Sequence, residues 1–259
     1  MPRPRFPVKF VDLGEVVNWS SRLADRISAD GFEPDAVVAV GRGGAVVARF
    51  LADLLGVGTL VLAPVRWVEV GARPCERYLA DLVRGWVRSS REGRPVWEYV
   101  GEVVSRLRVS VDPGISLDLS GRRALLVEEI VATGAHITVA KDLARRWGCA
   151  DTRSATLVWK SPTASVRPDY FLVEARGFAW FQFPWSRLED YKQFVKVMLE
   201  ESSREVGRAV WSMREVEELF TEWYGREPDR YYLRKALQWL SGCGTLKLSD
   251  SYVEVRLGT

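Results

Sequence analysis

The run ALLVEEIVATGAHITVAKDLARRWG, from Ala124 to Gly148, constrains this chain more than any other stretch. It opens with apolar residues that do not alternate with polar ones, the pattern of a strand buried on both faces of a parallel sheet. Glu128 and Glu129 follow, Ala132-Thr133-Gly134-Ala135-His136 break the run, and helical spacing resumes from about Ile137 to Trp147. A strand that turns through glycine into a helix aims successive N–H groups and the positive end of the helix dipole at one point, which makes an anion site. Thr133 adds a hydroxyl there, and the amides of Gly134, Ala135 and His136 can wrap a phosphate. Glu128 and Glu129 stand at the carboxyl end of the strand, where open α/β sheets bind ligands. Adjacent like charges repel, so sugar hydroxyls or the hydration shell of a metal ion explain the pair better than a structural role. Solvated charges at a strand end are the plainer alternative.

A second strand–turn–helix lies upstream. Ala36 to Val40 is an unbroken apolar strand, Gly41-Arg42-Gly43-Gly44 a turn with a mobile cation, and residues 45–55 a helix that stops at Gly56. The turn can hold an anion, though a tight bend with positive φ also recruits glycine. A helix over 11–30 precedes it and a strand over 59–63 follows. Residues 74–108 read as a mainly helical insertion, and strands return at 154–159 and 170–173. Alternation of strands and helices predicts an α/β fold with a mostly parallel sheet flanked by helices. After Ser186 the alternation stops. Helices are predicted at 187–203, 212–224 and 229–241, then a hairpin (TLKLS, YVEVRL) closes the chain in the order of a small α+β winged-helix module. The expected domains are therefore 1–187, carrying the insertion at about 74–108, and 188–259.

Composition narrows the function classes. No apolar run approaches a membrane span and MPRPRFPVKF lacks a signal-peptide core, so a cytoplasmic protein with no membrane partner is expected. Three dispersed cysteines, Cys75, Cys149 and Cys243, and a single histidine argue against structural zinc and read as reduced structural thiols. The high ratio of arginine to lysine and the scarcity of Asn and Gln fit a heat-loving source. A net charge of +3 does not imply nucleic acid. Residues 204–259 hold nine basic and nine acidic side chains, so nucleic-acid contact by the tail is less favoured than dimerisation or a cap over the site.

These motifs resemble the type I phosphoribosyltransferases. Four apolar residues, two acidic, two apolar, a variable residue and Thr-Gly match the stretch ending in Glu128-Glu129-Ile130-Val131-Ala132-Thr133-Gly134, and the glycine-rich turn lies one strand–helix unit upstream, where the family keeps its pyrophosphate loop. TLVWK ending at Lys160, then PDY and WFQFPW, is similar to the base-binding half of the bacterial and archaeal xanthine-guanine and hypoxanthine-guanine enzymes. The resemblance implies 5-phosphoribosyl 1-diphosphate (PRPP) and a purine as substrates, a nucleoside monophosphate and pyrophosphate as products, and a homodimer. It also implies Mg²⁺ carried on PRPP and reached by Glu128 and Glu129. It assigns Glu128 and Glu129 to catalysis on the ribose hydroxyls. Arg42, Gly43, Gly44 and Ala132 through His136 (Ala132, Thr133, Gly134, Ala135, His136) go to the phosphates, and Lys160 and Trp180 to the base. A lysine donor selects an oxo group over an amine, and an indole suits a flat heterocycle. The chain departs from the oxopurine enzymes in three places: Ala132 stands where they have aspartate, His136 where they have Thr or Ser, and Glu129 where aspartate is commoner. Ala132 removes the nearest general acid/base. The alternative function is thus a binding protein that keeps the nucleotide cradle without turnover and signals through its tail.

Overall fold

The structure, a computed structural model, describes residues 5–71, 75–112 and 116–257. In chain order the elements are β1 (Val8–Phe10), α1 (Leu13–Ala29), β2 (Ala36–Val40), α2 (Gly41–Leu54), β3 (Leu60–Ala63) and β4 (Val65–Glu69). Next come α3 (Tyr78–Glu92), α4 (Val96–Val104), β5 (Leu107–Val111), β6 (Arg123–Val131), α5 (Ala135–Arg146), β7 (Asp151–Trp159) and β8 (Tyr170–Glu174). The remainder is β9 (Trp180–Gln182), α6 (Arg187–Val206), β10 (Val210–Ser212), α7 (Met213–Tyr224), α8 (Arg230–Gly242), β11 (Leu246–Leu248) and β12 (Tyr252–Val255). They gather into two compact units, a sheet unit of Val11–Val68 with Arg108–Ala179 and a helical unit of Met1–Phe10, Glu69–Leu107 and Trp180–Thr259.

The sheet unit is built on five parallel strands in the order β3-β2-β6-β7-β8. Side chains alternate across a strand. Ala36, Val38 and Val40 of β2 and Ala124 and Leu126 of β6 therefore share one face, where they form a buried layer with Ile137, Ala140 and Leu143 of α5. The intervening residues, Val37, Ala39, Leu125 and Val127, are equally buried on the other face. There α2 packs on β2 and β6, and α1 packs on α2. Covering both faces explains the unbroken apolar runs; each fully buried Leu or Ile contributes about 1.5–3 kcal/mol. A capping box between Asp12 and Glu15 starts α1. β4 and β5, not foreseen in the sequence, pair with each other.

Two element boundaries depart from expectation in ways that matter. Gly41–Gly44, expected as a turn, is the first turn of α2, which begins at Gly41 rather than near residue 45. The strand carrying Glu128 and Glu129 runs on to Val131, so the carboxylates lie within β6 and not beyond its end.

In the helical unit α6 is the central element. Tyr191, Phe194, Val195, Val197, Met198 and Leu199 are all buried, as expected of a helix surrounded by others. Phe194 stacks on Tyr224 of α7, and Phe6 meets Phe194, Tyr224 and Trp86 of α3. β1 pairs in parallel with β9, and β10, β12 and β11 form an antiparallel sheet. The tail therefore has a third strand besides the expected hairpin. Instead of a linear division at residue 187, the insertion helices α3 and α4 belong with the tail; residue 74, the expected start of the insertion, lies outside the described residues.

The cysteine expectation is corrected. Cys75 and Cys243 form a disulfide, with Cα atoms 6.3 Å apart across 168 residues of sequence, and only Cys149 is free. Sequence spacing carries no sign of a pairing made by the fold of a three-segment unit. No helix among the described residues is long and apolar enough to cross a membrane.

Candidate active site

β2, β6 and β7 are neighbours in the sheet, and their carboxyl ends bring together Arg42, Gly43, Gly44, Glu128, Glu129, Ala132 through His136, and Lys160. Sequence reasoning placed the two carboxylates side by side. Strand geometry separates them, because consecutive side chains in β6 point to opposite faces.

Glu129 points toward α2. A Cβ built on Gly43 would fall 1.7 Å from Glu129 Oε1, and one on Gly44 would fall 2.4 Å from the Val127 carbonyl oxygen. These glycines thus admit β6 and its carboxyl group against the start of α2, a packing reason that the sequence alone did not reveal. Gly41 has φ +66°, which a residue with a side chain rarely adopts. Burial, then repulsion from Glu128, pushes the Glu129 carboxyl up to about 8, against a lowering influence from the exposed Arg42.

Glu128 points toward α5 and is buried. Its Oε1 shares a 2.8 Å hydrogen bond with His136 Nδ1. Burial raises its pKa, and the bond to His136 opposes that rise. His136, also buried, stacks its ring on Trp67 of β4 with centroids 4.4 Å apart and an interplanar angle of 29°. Among the described residues, His136 Nε2 has no hydrogen-bond partner. Trp67 escaped the sequence reading: its alternation with Val65 marks a strand, but nothing in the spacing ties it to His136.

The loop between β6 and α5 is held from one side. The Lys160 amide donates to the Val131 carbonyl at 2.9 Å and the Thr163 hydroxyl to the Ala132 carbonyl at 2.6 Å. The Ser165 amide and hydroxyl both donate to the Thr133 carbonyl, at 2.8 and 2.9 Å. Gly134 takes φ +86° and caps α5; a Cβ there would lie 2.5 Å from Val166 Cγ2. The Ala135 amide donates to Thr133 Oγ1 at 3.2 Å. Ala132 offers no titratable group. Burial lowers the Lys160 ammonium to about 8.

Trp180 lies on β9 in the helical unit. Its indole N–H donates to Asp190 Oδ2 at 3.1 Å, and its ring is tilted against Tyr78 with centroids 6.1 Å apart. Asp190 is buried, also accepts from the Ser186 hydroxyl at 3.0 Å, and burial pushes its carboxyl up to about 7. Asp190 is a second partner that the sequence did not single out.

As for a metal, no cluster of three or more His, Cys, Asp or Glu side chains among the described residues could hold one. Glu128 is engaged by His136 and Glu129 faces the other side of the sheet. This donor set suits Mg²⁺ only together with phosphate oxygens of a substrate, the mode in which Mg²⁺ usually meets one or two carboxylates.

The chain is similar to a purine phosphoribosyltransferase from Pyrococcus horikoshii Ot3, with 21% identity over 70% of this chain and 95% of that one and a TM-score of 0.49. It is also similar to a Helicobacter pylori xanthine-guanine-hypoxanthine phosphoribosyltransferase, with 20% identity over 68% and 90% of the two chains and a TM-score of 0.45. No curated protein matches. Residues 14–191 match the family model for the phosphoribosyl transferase domain, and the chain belongs to that family of phosphoribosyltransferases.

Proposed function

We propose that this protein transfers the 5-phosphoribosyl group of PRPP to an oxopurine base, giving a nucleoside monophosphate and pyrophosphate for purine salvage. The observation that carries the reading is the position of two inward-facing carboxyl groups in β6 between two glycine-opened helices, α2 and α5. Each helix N-terminus is suited to an anion and each carboxyl group to a hydroxyl.

In the reaction the bond from ribose C1′ to the diphosphate oxygen breaks, a bond from C1′ to a ring nitrogen of the base forms, and the proton on the base is released. The protein's work is largely electrostatic. Gly41–Gly44 amides and Arg42 meet the leaving pyrophosphate, and the amides of Gly134, Ala135 and His136 with the Thr133 hydroxyl hold the 5-phosphate. Glu128 and Glu129 hold the ribose hydroxyls. Lys160 donates to the 6-oxo group, and Trp180 is the residue that the resemblance gives for stacking on the base. Mg²⁺ bound to the diphosphate would neutralise its charge, with Glu128 and Glu129 as the carboxylates available to it. The proposal places the enzyme in the cytoplasm as a homodimer; a disulfide fits that compartment in a heat-loving source. The tail, with the strand and helix order of a winged-helix module, serves dimerisation.

The test is to incubate the protein with PRPP, Mg²⁺ and each of adenine, hypoxanthine, guanine and xanthine, and to assay pyrophosphate release. Turnover with an oxopurine is expected, and Lys160→Ala should impair oxopurine use more than donor binding. Turnover with adenine alone overturns the base assignment. Tight nucleotide binding without turnover supports the alternative of a regulatory binding protein, in which Ala132 leaves no acid or base at that position.

A further inference from the structure

The imidazole of His136 has little left to offer a phosphate. One face of the ring lies on Trp67, and Nδ1 is committed to Glu128. Only the backbone amide and the buried Nε2 remain. Glu128, for its part, sits on the sheet face that carries Leu126 and the apolar side of α5, a layer of aliphatic groups in which a carboxylate is costly without a hydrogen-bond donor. His136 is the group that supplies the bond, and Trp67 is the surface that fixes the ring's plane. The three residues come from β6, α5 and β4, so they tie the sugar side of the site to the first turn of the phosphate helix.

We propose that His136 is a positioning residue for ribose recognition: its side chain holds Glu128 in place for the sugar hydroxyls, Trp67 holds His136, and the phosphate is left to the loop's backbone amides. This rests on the sugar-phosphate reading given above. It assigns the imidazole to the opposite end of the ligand from the one its place in the phosphate loop implies, and it gives Trp67 a part in selecting ribose over deoxyribose.

The test is equilibrium binding, by calorimetry, of GMP and of 2′,3′-dideoxyguanosine monophosphate to the full chain, with inorganic phosphate as competitor. A hydrogen bond to a charged group predicts that the unsubstituted protein prefers GMP by roughly ten- to hundredfold. His136→Gln puts an amide near the position of Nε2 and should collapse the preference to within about threefold while dideoxynucleotide and phosphate binding hold. His136→Asn puts its amide near Nδ1 and should restore most of the preference. Trp67→Ala, which leaves both polar groups in place, should lower the preference in the same direction, and Trp67→Phe should keep it. If His136→Gln instead weakens GMP, its dideoxy counterpart and phosphate alike, with the preference intact, the imidazole is a phosphate ligand and the proposal is wrong. It is equally wrong if Asn, Gln and Trp67→Ala variants all discriminate like the unsubstituted protein. Should the His136 variants fail to fold, the Trp67 pair decides. Failure of the unsubstituted protein to bind either nucleotide overturns the sugar-phosphate reading itself, and this proposal with it.

Discussion

The two units treat buried charge in opposite ways. In the helical unit Arg84 lies 2.9 Å from Glu76, 2.8 Å from Glu200 and 3.3 Å from Asp81, and Lys196 lies 3.2 and 3.4 Å from the same two glutamates. Cations and carboxylates from α3, α6 and the segment before α3 thus share one another. In the sheet unit the two adjacent glutamates turn to opposite faces of β6; Glu128 has the His136 imidazole as its hydrogen-bond partner, and Glu129, against the start of α2, is held up at about 8. A matched network is what a fold needs to tolerate ions away from water. An unmatched acidic pair is destabilising, and such pairs persist where a ligand completes them. One carboxyl in the helical unit breaks the pattern: Asp190 is buried with hydrogen bonds from Trp180 and Ser186, and burial raises it to about 7. It stands beside the residue proposed to stack on the base.

The sharpest way to break the contrast is Arg84→Met, which removes one of the two cations that Glu76 and Glu200 share. Urea denaturation should show a loss of about 3–5 kcal/mol, the usual consequence of removing one partner from a buried ionic set; a loss below about 1 kcal/mol would mean that water already solvates the network. Gly43→Ala attacks the other side. Its methyl would occupy the place of the Glu129 carboxyl, and a displacement of about 1 Å in a catalytic group lowers turnover roughly a hundredfold. Steady-state kinetics with PRPP as the varied substrate measure this, and unchanged kcat would show that the Glu129 position is irrelevant to chemistry.

The third prediction is a pH dependence. The folded-state pKa of Glu129 lies above its unfolded value, so the folded protein holds the proton longer and stability falls as pH rises. The window runs from the unfolded value of 4.5 to about 8, and one group changes stability by at most about 1.4 kcal/mol per pH unit there. Glu129→Gln should flatten the decline in denaturation midpoints measured at intervals from pH 5 to 8. Asp190→Asn should do the same over a slightly narrower window, from 3.8 to about 7. If neither substitution changes the slope, the two carboxyl groups are solvated in the folded protein.

Much of the sheet unit was legible because its strands obey one rule. Ala36–Val40 and Ala124–Val127 are apolar on both faces, and only a doubly covered parallel strand needs that. That the candidate residues Glu128, Glu129, Thr133 and Gly134 lie together was legible because they cluster in sequence. Their directions were not. Which way Glu128 points depends on how far β6 continues, and the end of a strand is set by its neighbour's register rather than by local residues. The purpose of Gly43 depends on a side chain 86 positions away. The helical unit was the least legible, because β1, the insertion and the tail carry local signals for their own elements and none for each other. Phe6 finds Trp86, Phe194 and Tyr224 only through tertiary packing, and Cys75 finds Cys243 the same way.

The three-segment make-up of the helical unit also sets an order of events during synthesis. The last strand of the sheet unit, β8, is complete at Glu174, before the first residue of α6 is joined. The apolar face of α3 is finished at Glu92 and must wait for α6, which ends at Val206. At ordinary ribosomal rates that delay is on the order of ten seconds. For most of that interval the sheet too is incomplete, and only over the last stretch, from Glu174 to Val206, would a nascent chain with all five strands made trail an unsatisfied greasy helix, a natural handle for a holding chaperone.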